Sequence, residues 1–228
     1  ETAAGLVDRL EDADVWILMA VRCSQARILS LRGQGGLAAD WLDWLESTSR
    51  GTGVDEQAVN GLGACALARA GLGQDDRAAA LLTELAATPA FRNTSTYGAT
   101  AHALVRAALA IGDRELAERL GAGVEQPRRP IDEHALAATN AALMEARGDL
   151  SSAAEAYAEA AGRWERFGVV PEQAFALLGQ ARCLIGLSLP TEASAVLQRA
   201  RVIFDRLEAA SAIAEIDALI QRATTLSL

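Results

Sequence analysis

The sequence contains no lysine, so all 21 of its basic residues are arginines. That removes any lysine Schiff base and the lysine of a phosphate-binding P-loop from this chain. A GC-rich genome is the plainer origin of such usage. Aromatic residues are scarce at 4%, although hydrophobic residues reach 51%. Alanine and leucine therefore carry the apolar content, and both are good helix formers. The five prolines fall between periodic segments, as an all-helical chain requires. The three cysteines, Cys23, Cys65 and Cys183, are odd in number and widely spaced, each inside an apolar stretch. They read as small core residues of a protein in a reducing cytoplasm rather than as a disulfide framework.

Other absences narrow the function. There is no signal peptide and no uncharged apolar run of 18 residues, so no membrane association is expected. The net charge of −9 disfavours direct nucleic-acid binding, which needs clustered positive charge. No GxxxxGK, HExxH, CxxC or nucleophile-elbow motif occurs. His102 and His134 are far apart with no carboxylate motif beside them, so neither a metal nor a cofactor is expected. The chain opens on Glu1 rather than Met, and it reads as part of a longer protein.

What the chain does contain is helix after helix, with no useful stretch of period-two alternation. A short amphipathic piece, 5–10, ends in an acidic run. The spacing predicts helices over 15–31, 37–46, 55–70, about 75–87, 97–111, 113–120, 132–147, a segment ending at Phe167, 171–187, 191–207 and 212–223. Asp75 or Asp76 and Asn93 to Thr96 are candidate caps, and Ser152 with Glu155 forms a candidate capping box. Ser47 to Gly53 reads as a polar loop, Gly121 to Gly123 as an early fray, and Pro127-Arg128-Arg129-Pro130 as the one hinge.

The helices are phased. Gly33, Gly73, Gly112, Gly148 and Ser188 each sit at the turn of a helix pair, spaced 36 to 40 residues apart. Five positions after every turn stands an alanine: Ala38, Ala78, Ala117, Ala153 and Ala193. Seven before stand Ala26, Ala66, Val105, Ala141 and Ala181. Nine after stand Leu42, Leu82, Gly121, Tyr157 and Leu197, and twelve after stand Leu45, Leu85, Val124, Ala160 and Ala200. A helix pair cannot bury its apolar face alone, so pairs stack, and where their helices approach most closely only a small side chain fits.

This spacing resembles the tetratricopeptide repeat, which the unit Ala141, Gly148, Ala153, Tyr157 and Ala160 matches in full. Val105, Gly121 and Ser188 depart from it, and the period exceeds the usual 34. The resemblance implies an all-α, right-handed α-solenoid of about five helix pairs. The expected units are 13–50, 54–89, 93–126, 130–168 and 171–209, with a capping helix 212–224, all in one repeat domain spanning 1–228. Trp164 to Gly168, Pro171 to Ala174 and Leu178 to Leu184 look like the C-terminal repeats of large actinobacterial signalling proteins. Those proteins include MalT-like regulators with a LuxR-type DNA-binding domain and ATPase-linked class III adenylyl cyclases.

In that family the first helix of each pair lines the concave face. The resemblance therefore places Arg27, Asn60, His102, Arg106 and Arg182 on a candidate binding groove. Three arginines and a histidine there suit an acidic peptide or a small acidic effector. The alternative is that they pair with nearby acids or face solvent. Trp41 and Trp44 are either core or a docking patch, and Trp16 and Trp164 read as packing. The expected function is a non-catalytic, cytoplasmic interaction or sensor arm of a signal-transduction or transcription-regulatory protein. Its partner would be a protein, a peptide or another module of the same chain. A small-molecule effector domain with a closed pocket is the second reading.

Overall fold

A computed structural model describes residues 15–124 and 127–226, so the expected helix 5–10 lies outside the described residues. Among the described residues every regular element is helical and no strand is present. The chain divides into two compact units, Glu1–Gln126 and Pro127–Leu228. The division falls at the proline-flanked arginines that read as the hinge.

The first unit begins with α1 (Val15–Leu31), a 3-10 turn (Gly35–Ala38) and α2 (Ala39–Gly51). The pair α3 (Asp55–Gly71) and α4 (Asp75–Ala87) follows, then a single turn α5 (Pro89–Arg92) and the pair α6 (Ser95–Ala110) and α7 (Arg114–Ala122). α1 packs on α3, and α3 on α6, so the first helices of successive pairs form one layer. The second unit contains α8 (Pro130–Ala146) with α9 (Leu150–Phe167), α10 (Val170–Gly186) with α11 (Pro190–Leu207), and α12 (Ala210–Leu226). Here α9 packs on α10, α10 on α11 and α11 on α12.

The pair turns explain the phasing. Gly33, Gly73, Gly112 and Gly148 have φ of 69°, 68°, 81° and 84°, and Ser188 adopts 60° in the same role. This left-handed backbone carries little penalty only for glycine. At the fourth turn Gly148 N–H donates to Glu145 O at 2.9 Å and Asp149 N–H to Met144 O at 3.1 Å, which satisfies carbonyls left open by the end of α8. Both small-residue columns then pack without residue: all five alanines after the turns, and Ala26, Ala66, Val105, Ala141 and Ala181 before them, are fully buried.

Two other contacts show how close the helices come. A Cβ on Gly61 would lie 1.8 Å from the Ser49 hydroxyl, and one on Gly179 would lie 2.4 Å from the Tyr157 ring. Ion pairs fix the second helices. Arg69, buried on α3, reaches Glu46 at 2.9 Å and also Asp43, both on α2, and Arg77 of α4 pairs with the same two carboxylates.

Several local expectations are corrected. The stretch after Glu46 is helical to Gly51, because Ser49 donates back to Leu45 O at 2.6 Å and fits against Gly61. Neither Asp75 nor Asp76 is a cap; both lie in the first turn of α4, after Gln74. α9 starts earlier than a Ser152–Glu155 box requires: Asp149 is its cap and accepts from Ser152 N–H at 3.3 Å. Gly121 does not fray α7, because burial against its neighbours carries the helix to Ala122. Trp16 is not packed away; it is 56% exposed. Trp164 is core, and Trp41 lies under the Arg22 guanidinium at 4.6 Å while Trp44 stays partly exposed.

Candidate functional site

The site is built on α1 and α3. α1 carries Arg22 and Arg27 but no acidic residue between Val15 and Leu31, in a chain of net charge −9. Helical spacing sets Trp16, Ala20, Cys23 and Arg27 in one row along it. On α3, Gln57 and Asn60 are three residues apart and share a face. Where the two helices meet, a cleft of about 80 Å³ opens, lined by Trp16, Met19, Ala20, Cys23, Gln57 and Asn60. Four of these are apolar or thiol side chains, and the polar part is two neutral amides.

Arg27 closes one end of this row. Its Nη2 donates to Asn60 Oδ1 at 2.9 Å, tying α1 to α3. Two of the five groove residues expected from sequence are thus in direct contact. His102 and Arg106 lie on α6, the next helix of the layer, with His102 buried and Arg106 half-buried. Arg182 belongs to the second unit, on α10, so it shares no compact unit with the other four.

The surroundings of Arg182 are filled by the protein's own carboxylates. Its Nε and Nη2 form a two-pronged pair with Glu145 at 2.7 and 2.9 Å, and its Nη1 reaches Glu215 at 2.9 Å. Tyr157 donates its hydroxyl to the same Glu145 at 2.7 Å. Burial disfavours the charge on Arg182, but the Glu145 hydrogen bonds and charge hold its pKa above the ordinary guanidinium value. Four helices, α8, α9, α10 and α12, meet through these four side chains. At this position the alternative sequence reading, an arginine paired with nearby acids, describes the geometry.

Nucleophilic chemistry finds no support in the thiols. Burial pushes Cys23 up to about 11, with Arg27 lowering it only in part, and pushes Cys183 up to about 12. Burial raises Cys65 as well. A thiol so shifted is protonated near neutral pH and reacts slowly. Among the described residues no group of three His, Cys, Asp or Glu side chains could hold a metal ion. No described helix is long and apolar enough to cross a membrane.

The sequence reading missed Trp16, Met19, Ala20 and Gln57 as cleft residues. A signal existed for Trp16, which stands seven residues before Cys23 and so on the same helix face. It was outweighed by the rule that tryptophan in a helical protein is usually buried. Gln57 carried no signal, since its role comes from where α1 crosses α3.

No family model matches the chain, and no curated protein matches it. Two solved structures are similar to it, both of the nearly identical TPR-like repeats of a candidate kinesin light chain from Podosopora anserina, one carrying a single substitution. They are 21% and 22% identical, with TM-scores of 0.47 and 0.46. Each covers 81% of this chain, which in turn covers 93% and 94% of theirs.

Proposed function

We propose that this chain is a non-catalytic interaction module that captures a protein or peptide segment along the α1–α3 face. One observation carries the reading: the cleft at the α1–α3 junction combines an exposed tryptophan, apolar walls and two amides that make no other side-chain hydrogen bond. Exposed aromatic anchors beside amide groups are typical of segment recognition, because they bury area and still satisfy a partner's polar backbone. The cysteine chemistry described above removes the readiest route to catalysis. The cleft is small and open, so it suits part of a chain better than a whole metabolite, which favours this reading over a closed effector pocket.

In the same proposal the module serves as a sensor arm of a larger bacterial signal-transduction or transcription-regulatory protein, with the half-buried Arg106 extending the face and the partner in the cytoplasm. The test is site-specific photo-crosslinking. A benzophenone side chain at Ala20 should capture a discrete partner from source-cell extract, and Trp16→Ala should abolish the capture. The same probe at Thr224, on α12 of the other unit, should capture none. Equal capture at both positions would sink the assignment.

A further inference from the structure

Arg27 is the residue that an acidic ligand would be expected to seek. We infer that it acts instead on Asn60, as an orienting residue, and that the cleft takes an uncharged, extended peptide segment with one apolar side chain. This rests on the α1–α3 face being the binding face.

The chemistry of the contact fixes the amide. A guanidinium can only donate, so the Asn60 atom at 2.9 Å from Arg27 Nη2 must be the carbonyl oxygen. An asparagine alone can present either end to a ligand. Here one end is spent on Arg27, and the Nδ2 amino group, which makes no other hydrogen bond, remains as the offered donor. One helical turn earlier on the same face, the Gln57 amide also has no side-chain partner and can supply an acceptor. A donor and an acceptor side by side match the alternating C=O and N–H of an extended backbone, as an added strand would on a sheet edge. The rest of the lining, Trp16, Met19, Ala20 and Cys23, offers no charge, so it suits an apolar side chain.

A carboxylate ligand fits less well. Both of its oxygens carry charge, and the lining holds no charged side chain to meet them, only two neutral amides.

The probe is a random-peptide library displayed on phage and selected on the intact immobilised protein, with the most enriched peptide resynthesised. The expected result is enrichment of sequences with an aliphatic or aromatic residue and no shared Asp or Glu. Affinity should change little between about 50 and 500 mM NaCl, since no ion pair is made. Asn60→Asp keeps an acceptor for Arg27 but loses the donor, and should weaken binding roughly tenfold. Arg27→Met should weaken it severalfold, and Arg27→Lys should restore most of the loss.

Enriched peptides that share an acidic residue, with affinity collapsing at high salt, would overturn the orienting role and make Arg27 a counter-ion, while the binding face stands. Enriched peptides indifferent to both Trp16→Ala and Asn60→Asp, or no enrichment at all, would overturn the face itself. Thermal melts of each variant separate lost binding from lost folding. Should Trp16→Ala melt early, Trp16→Leu replaces it in the same comparison.

Discussion

Ala153 is fully buried where α9 approaches its neighbours, and its place in the column is shared by four other buried alanines. Ala153→Leu should cost about 1–3 kcal/mol by overpacking, read as a shift in the urea midpoint at unchanged slope. A neutral result would mean the close approach lies elsewhere. Ser188 gives the opposite case, a non-glycine residue held at φ 60°. Ser188→Gly should stabilise by about 0.5–1 kcal/mol, the relief of left-handed backbone less glycine's greater freedom when unfolded. At this scale the sequence was most informative. A residue that must be small, or must turn left-handed, leaves a mark at its own position. Pairings such as Arg27 with Asn60 or Arg182 with Glu145 leave none, because each partner lies more than 30 residues away and any of the protein's many acids and amides could have served.

Helix ends were harder to read than helix cores, and Glu56 shows why. This α3 residue accepts from Ser95 N–H at 2.7 Å, Ser95 Oγ at 2.8 Å and Thr96 N–H at 2.9 Å. It therefore caps α6 from a different helix, while Thr94 caps it locally through Tyr97 N–H at 3.1 Å. Only the local cap was visible in the sequence. Burial disfavours the Glu56 charge, but these hydrogen bonds outweigh it and bring the pKa down to about 2. A carboxyl depressed in the folded state stabilises it above the unfolded pKa, here near 4.5, and that contribution fades as pH falls towards about 2. Glu56→Gln should therefore flatten the part of the acid-unfolding curve between those values. Its melting temperature at pH 7 should fall below that of the unaltered protein, and a parallel pair of pH curves would refute the cap.

The chain divides into two compact units at the loop Pro127-Arg128-Arg129-Pro130. Arg128 and Arg129 are exposed, Arg129 pairs with Asp132 at 2.8 Å, and Pro130 opens α8. Trypsin does not cleave before proline, and helices resist proteases better than exposed connections do. The first tryptic cut among the described residues should therefore follow Arg128, leaving two long-lived fragments identifiable by mass. Early cleavage inside α3 or α10 instead would mean that the units are not the stable bodies. The repeat was legible at this scale because stacking imposes the same spacing on every pair. The boundary between the two units was legible only as a proline-flanked loop, since the spacing of the turns alone does not mark it.

The left-handed turns also bear on how such a chain can change over generations. In the second unit, one period runs from the turn at Gly148 to the turn at Ser188, and both turns share a backbone conformation. Unequal recombination that duplicates or drops that whole period joins like to like, and every buried alanine keeps its phase with the turn before it. A slip of one residue instead rotates everything downstream in a helix by about 100° and carries its alanine out of the contact. Descendants of this gene should therefore differ in length by whole helix pairs far more readily than by single codons within them.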